Sequence, residues 1–293
     1  MKRFIVDNNK KLSKQSPISK WGEFVKLRNN QLFIVEEGTG EDIIFANGIA
    51  ASIYTWRKIL PKLSKSFHVY AFDFKGTGFS EKPREEYSID EFSKEILYLM
   101  NYYKIDKAVL VGNSLGGEIV LDFAIKYPHK IKALVLIDSA GYQYNKEITA
   151  LLVKLSRYKI VGKFIKNHAS KKFAKKIIQW AMYNDNLINE DMINGYYKPM
   201  RKEGAFEAFL SLVKNLSYTE FDYEKVKKIS APTLIIWGKE DKWIPVSDSY
   251  KFHRDIKNSR LVILDDCGHA PQEEKPDEVI VLIKKFVQEL ESR

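Results

Sequence analysis

A serine, an aspartate and a histidine stand in this chain where a nucleophile, its base and an orienting acid would be placed. The serine lies in Gly112-Asn113-Ser114-Leu115-Gly116, after the apolar run Ala108-Val109-Leu110-Val111 and before the helical pattern Glu118-Ile119-Val120-Leu121-Asp122-Phe123-Ala124. Strand, sharp turn and helix in that order make Gly-x-Ser-x-Gly a nucleophile elbow, in which a strained turn lifts the hydroxyl above the sheet. The flanking glycines let strand and helix approach closely, and Gly117 extends the small-residue surface. Read locally, the same residues could form an ordinary strand-to-helix turn whose serine caps a backbone N–H.

A serine hydroxyl is a poor nucleophile until a base takes its proton, and the base needs an orienting acid. Asp241 lies in Gly238-Lys239-Glu240-Asp241-Lys242-Trp243-Ile244-Pro245, just after Leu234-Ile235-Ile236-Trp237. His269 lies in Cys267-Gly268-His269-Ala270-Pro271, just after Leu261-Val262-Ile263-Leu264. Loops that follow parallel strands sit at their carboxyl ends, where ligands bind in such sheets. Alone, each would read as a solvated turn residue. Of the five histidines, at 68, 129, 168, 253 and 269, only His269 combines a strand-end loop with a preceding glycine. Acyl transfer also needs donors for the developing oxyanion. The backbone N–H of Leu115, next after the serine, is one candidate. The other is Ile49 N–H in Asn47-Gly48-Ile49-Ala50-Ala51-Ser52, where Gly48 lets the chain bend toward the serine. The plain alternative for Asn47-Gly48 is a turn dipeptide.

The elements that must position these residues can be read from periodicity. Apolar runs at residues 32–35, 43–46, 69–72, 108–111, 133–137, 233–237 and 261–264 are mostly continuous rather than alternating, as in parallel strands covered on both faces. Ser88-Ile89-Asp90-Glu91 is a capping box opening a helix with Phe92, Ile96, Leu99, Met100 and Tyr103 on one face. Pro128 ends the helix after the serine turn, and Pro276 opens a final helix with a stripe of Val279, Leu282, Ile283, Phe286, Val287 and Leu290. Alternating strand and helix predict a doubly wound, mostly parallel sheet. The alternation breaks at residues 141–216, where helical stretches at 147–160, 171–183 and 205–216 predict a helical cap inserted over the carboxyl ends of the strands. The expected organisation is a polar extension at 1–22, a core at 23–140 and 217–293, and the cap between.

On these motifs the chain resembles the α/β-hydrolase fold serine hydrolases of the esterase/lipase-like branch, over about residues 24–292. The order Ser, Asp, His is theirs. Asp73-Phe74-Lys75-Gly76-Thr77-Gly78-Phe79-Ser80-Glu81-Lys82-Pro83 is similar to their D-x-x-G-x-G-x-S-x-x-P segment, and Asn47-Gly48, Ser52 and Trp56 to their His-Gly, Ser and Trp block. Asn47 replaces the histidine of that block, which leaves the backbone oxyanion donor but alters how its loop is pinned. The resemblance implies hydrolysis of a small-molecule carboxylic ester through an acyl-enzyme, with Ser114, His269 and Asp241 as triad and no cofactor or metal. Some relatives take their acid from the strand after the elbow helix, which makes Asp138 in Leu136-Ile137-Asp138-Ser139 a backup. Ser114 argues against dehalogenases and epoxide hydrolases of this fold, which carry aspartate at the elbow. Carbon–carbon hydrolases often share Gly-Asn-Ser, yet residues 49–52 lack their Ser-Gly-Pro-Gly stretch. Thioesterases, cofactor-free haloperoxidases or perhydrolases, and a non-catalytic receptor that keeps the fold, complete the alternatives.

The 293 residues are 45% hydrophobic and 29% charged, an ordinary globular composition with ample chain for a core. No apolar run is long enough to span a bilayer, and the N-terminal residues lack the apolar stretch of a secretory signal. The one cysteine, Cys267, has no intrachain disulfide partner. The expected location is the cytoplasm. The net charge of +10 is concentrated at residues 2–28 and 146–176, the latter holding ten basic residues against one acid. No nucleic-acid module accompanies it, and a solvated lysine-rich face accounts for it more simply than a membrane. If a membrane were the partner, the amphipathic stretch 148–165 would approach it.

Overall fold

The computed structural model describes residues 22–142, 170–218 and 222–292. Among the described residues eight strands form one sheet: β1 (Glu23–Leu27), β2 (Asn30–Glu37), β3 (Asp42–Ala46), β4 (His68–Phe72), β5 (Ala108–Asn113), β6 (Ile131–Ile137), β7 (Thr233–Gly238) and β8 (Ser259–Leu264). Their spatial order is β1-β2-β4-β3-β5-β6-β7-β8. β1 and β2 join antiparallel, β2 meets β4 antiparallel, and every other pairing is parallel. The doubly wound, mostly parallel sheet predicted from the alternation is therefore present.

Continuous burial explains the continuous apolar runs. Along β5 and β6, Leu110, Leu134 and Leu136 join one core with α2 (Ile89–Tyr103) and α3 (Leu115–Lys126). Their neighbours Val109, Val111, Val135 and Ile137 join a second core with α1 (Leu60–Leu63) and the closing helix. Period-two side chains thus feed opposite faces, and helices cover both. β1 escaped the apolar-run reading because its Glu23 and Lys26 face solvent and only Val25 and Leu27 are buried. The capping box forms on its Ser88 side, with Ser88 Oγ accepting Glu91 N–H at 3.3 Å.

Between β6 and β7 lie α4 (Lys171–Ala181), α5 (Glu190–Met200) and α6 (Ala205–Tyr218). α4 and α6 fall where helical stretches were expected. α5 was missed, since Pro199 near its end and few apolar residues weaken the helical pattern. The expected helix at 147–160, the amphipathic stretch 148–165 and the extension at 1–21 lie outside the described residues. After β7 come α7 (Ser247–Asp255), then β8, α8 (Pro271–Glu274) and α9 (Pro276–Glu291), which begins at the proline that marked it.

The junction of β5 and α3 decides what this scaffold can hold. A Cβ on Gly116 would run into the backbone carbonyl of Ala46 at the end of β3, and one on Gly112 into the carbonyl of Gly116. Backbone, unlike a flexible side chain, cannot give way. Alanine is ordinarily the better helix residue by about 1 kcal/mol. At Gly116 the sign should reverse, with Gly116→Ala destabilising by roughly 2 kcal/mol through overpacking. Urea unfolding measures this, and a raised midpoint would refute the close approach.

Candidate active site

Ser114 ends the turn between β5 and α3 with φ 56° and ψ −124°. That is the first central position of a type II′ turn, which favours glycine, and a side chain there costs on the order of 1–3 kcal/mol. Backbone bonds hold it: Ser114 N–H donates to Ile137 O at 3.1 Å, and Ser114 O accepts from Gly117 N–H and Ala140 N–H, both at 2.9 Å. The serine is consequently tied to the end of β6 as well as to its own helix. Its side chain faces Gly48, where a methyl group would stand 3.0 Å from Ser114 Cβ and 3.5 Å from Oγ. The alternative reading of Ser114 as a side-chain cap fails, because its hydroxyl caps no helix N–H.

The histidine loop reaches the elbow through Asn113. Its amide donates to Ile137 O at 3.1 Å and to His269 O at 3.3 Å, while Asn113 Oδ1 accepts from Gln272 Nε2 at 3.1 Å. The neighbour of the serine thereby fixes the backbone of the histidine. From the other side, His269 N–H donates to Ala181 O at the end of α4, at 2.7 Å. The imidazole is buried, with Nδ1 2.7 Å from Asp241 Oδ2 and the Trp243 indole stacked on it at 5.3 Å and 15°. Among the described residues the Ser114 hydroxyl makes no hydrogen bond. Serine–histidine bonds are often long before substrate binds and tighten with it.

Asp241 is held by its own loop. Its Oδ1 accepts Trp243 N–H at 2.7 Å and Ile244 N–H at 3.1 Å, leaving Oδ2 to the imidazole. Asp138, the backup acid, is at the same place. It ends β6 at φ 42°, is fully buried, and its Oδ1 accepts Gly238 N–H at 3.0 Å. One oxygen of Asp138, one of Asp241 and one ring nitrogen of His269 lie within 4.8 Å of one another. Two carboxylates so close and so dry cannot both ionise freely. Burial, and then the Asp241 charge beside it, raise Asp138 well above the ordinary carboxylate range. Protonated, Asp138 is a donor for Asp241, whose remaining acceptor site it fills. The structure thus brings both candidate acids to the imidazole, with Asp138 the one pushed above the ordinary carboxylate range.

The two proposed oxyanion donors are free. Ile49 N–H forms no hydrogen bond among the described residues, and the turn around it is closed by Ala51 N–H on Gly48 O at 3.2 Å, with Ala50 at φ 55°. Leu115 is the first residue of α3, whose initial N–H groups have no partner within the helix. The loop carrying Ile49 is pinned by Asp73, whose Oδ1 accepts Ile53 N–H and whose Oδ2 accepts Phe79 N–H, both at 2.7 Å. Asn47, where relatives have histidine, is buried with neither side-chain amide atom hydrogen-bonded. Pinning therefore rests on Asp73 rather than on position 47.

Several positioning residues were not found by motif reading. Gln272 Nε2 also donates to Thr55 Oγ1 at 3.0 Å, and the Tyr196 hydroxyl of α5 lies 3.0 Å from both Thr55 Oγ1 and Glu273 Oε1, its single proton going to the carboxylate. Glu273 is buried against Arg57. Only Asn113 carried a sequence signal, as the variable residue of the elbow. The others are far apart in sequence and of unremarkable type. Cys267 is buried beside His269, and burial raises its thiol above the ordinary range, so it is an inert neighbour.

The chain belongs to the alpha/beta hydrolase fold family, whose sequence profile matches residues 43–276. It is 30% identical to the uncharacterized hydrolase YugF of Bacillus subtilis over 248 residues, 84% of this chain and 90% of that protein. It is 27% identical to the monoacylglycerol lipase ABHD6 of Bos taurus over 262 residues, 87% of this chain and 77% of that protein. Among solved structures it resembles a variant of CumD, a meta-cleavage product hydrolase of Pseudomonas fluorescens IP01, with a TM-score of 0.79 and 26% identity over 92% of this chain and 99% of that one.

The proton on Asp138 has a stability signature. Above about pH 3.9 an unfolded aspartate is ionised while folded Asp138 keeps its proton. The folded state then binds more protons, so the stability Asp138 confers at low pH is lost as pH rises. Asp138→Asn has no proton to lose, tolerates positive φ and keeps an N–H donor for Asp241. Its stability relative to the parent should rise between pH 5 and 8, by up to about 1.4 kcal/mol per pH unit. A pH-independent difference in urea unfolding would show that Asp138 ionises normally. Asp138→Ala removes the donor and should lower kcat roughly tenfold, given the worth of a hydrogen bond to a charged group.

Proposed function

We propose that this chain is a serine hydrolase that cleaves carboxylic esters of small or medium apolar acyl groups. The observation that carries the reading is the convergence at Asn113: one side chain joins the strained Ser114 elbow to the backbone of His269, whose imidazole is bonded to Asp241 at 2.7 Å. Ser114 attacks the ester carbonyl as His269 takes its proton. The oxyanion is held by Ile49 and Leu115 N–H. The imidazolium, stabilised by Asp241 and faced by Trp243, returns the proton to the departing alcohol. Water, activated by the same imidazole, releases the acyl group and restores the serine.

We read α4, α5 and α6 as a cap that selects the substrate. Supporting this, Ala181 O meets His269 N–H, the Tyr54 hydroxyl donates to Asp191 Oδ2 of α5 at 2.7 Å, and Asn215 Nδ2 of α6 donates to Tyr87 O at 2.7 Å. Among the described residues no helix is long and apolar enough to cross a membrane. The single buried thiol accords with a reducing compartment, and we place the protein in the cytoplasm.

A second reading, cleavage of a carbon–carbon bond in a diketone, is favoured by the likeness to a meta-cleavage product hydrolase and by the shared Gly-Asn-Ser elbow. The ester reading is preferred because residues 49–52 lack the Ser-Gly-Pro-Gly stretch of those enzymes.

Hydrolysis of short- and long-chain p-nitrophenyl esters, beside a thioester and a vinylogous diketone, separates the readings. The ester should turn over with an acyl-enzyme burst, and Ser114→Ala should lower kcat by roughly a millionfold. Turnover of the diketone alone would transfer the assignment to carbon–carbon hydrolysis, and turnover of none would sink both. Asp241→Asn should cost roughly 10⁴-fold by releasing the wrong imidazole tautomer. A severe loss in Asp138→Asn with little in Asp241→Asn would exchange the roles of the two acids.

A further inference from the structure

Among the described residues, one surface of helix α4 is left uncovered. Its buried side is Ala174 and Ile178, the latter packing with Met182 and Met192. Phe173 and Trp180, seven residues apart and so on one edge two turns apart, are left 47% and 71% exposed. The adjoining edge holds Lys172 and Lys176, with Lys171 and Lys175 beyond them. Among the described residues Lys172, Lys175 and Lys176 form no ion pair, Lys171 meets only Glu190 at 3.4 Å, and the helix has no acidic side chain. Eight large apolar side chains are exposed among the described residues. Half of these belong to α4 or to segments contacting the His269 loop. Tyr183, 46% exposed, has its N–H on Glu274, which also accepts Gly268 N–H, and Trp243, 40% exposed, stacks on His269.

We propose that α4 is a docking surface for an anionic lipid bilayer. Aromatic rings beside lysines suit the membrane interface, where the ring sits at headgroup level and the ammonium meets lipid phosphate. Charge selects this occupant: four lysines, of which only Lys171 meets a carboxylate among the described residues, on a chain of net charge +10, complement a negative leaflet. An apolar face without those lysines would suit a protein partner equally. Position adds a consequence. α4 ends at Ala181, whose carbonyl is bonded to His269 N–H, so a bilayer against Trp180 lies beside the candidate site and could deliver an apolar substrate without passage through bulk water. The docking rests on the composition of α4 and not on the reaction assigned to Ser114.

Sedimentation of the full chain with vesicles tests it. The protein should bind vesicles of phosphatidylcholine mixed with phosphatidylglycerol, bind vesicles of phosphatidylcholine alone far less, and be released by high salt. Phe173→Ser with Trp180→Ser, and separately Lys172→Glu with Lys176→Glu, should each lower partitioning roughly tenfold or more. Both pairs are exposed, so circular dichroism and thermal unfolding should match the parent. Absence of parent binding to the anionic vesicles would overturn the proposal. Binding undiminished by both double variants would assign the attraction to other basic residues and overturn it too. A parent that self-associates without lipid, and a Phe173/Trp180 variant that does not, would reassign the face to a second copy of the chain.

Discussion

Everything at this site depends on a backbone conformation that its residue resists. Ser114 must sit at φ 56° for β5 to end, α3 to begin and the hydroxyl to point out of the turn. The cost, on the order of 1–3 kcal/mol, cannot be relieved by rotating the side chain. It is offset by three backbone hydrogen bonds to the elbow, two of them from the β6 end, and by glycines that admit the carbonyls of neighbouring segments. The strain is therefore sustained by the centre of the sheet. Residues 108–113 and 131–137 are buried almost throughout, so the elbow sits where local opening is most costly.

The electrostatics follow from the same packing. Parallel strands bring the loops after β6 and β7 side by side, and each loop carries a carboxyl group, Asp138 and Asp241. Asp241 is met by two N–H donors and an imidazole. Asp138, with one N–H donor and full burial, keeps the proton. This is the pattern by which paired acids acquire different tasks, their environments pushing the two affinities for a proton apart. It also makes the question of which aspartate serves the histidine partly one of proton placement. The two are neighbours in one network rather than alternatives at separate sites.

Much of this was legible in sequence because the signals are local. An apolar run followed by a loop residue marks a strand end, and three such loops in the order Ser, Asp, His identify the scaffold. The doubly wound sheet followed from continuous burial of its strands. What was not legible depends on distance in space. β1 alternates and lies at the sheet edge, so it leaves no apolar run. α5 lacks a strong stripe. Thr55, Asn113, Tyr196 and Gln272 form one hydrogen-bonded chain across 217 positions of sequence, and no residue type among them is diagnostic. That Asp138 keeps a proton follows only from the packing of two loops. The basic stretch read as a solvated face includes α4, where lysines border the exposed Phe173 and Trp180.

The way the helices between β6 and β7 meet the site bears on how one scaffold serves different substrates. α4 reaches the His269 backbone through a carbonyl, Ala181 O on His269 N–H, and Glu274 gathers the N–H groups of Tyr183, Asn184 and Gly268. These bonds largely ignore which side chains α4 carries. Its residues can be exchanged without moving His269, provided the helix ends in the same place. α4 is thus joined to the histidine loop largely without its own side chains, while α6 holds Tyr87 O with the Asn215 side chain. A family built this way can diverge in substrate while conserving geometry, and proteins named as a lipase and as a meta-cleavage product hydrolase stand at 27% and 26% identity to this chain. The exception is α5, whose Tyr196 side chain enters the Thr55–Gln272–Asn113 chain directly, so that a change there would be felt at the elbow itself.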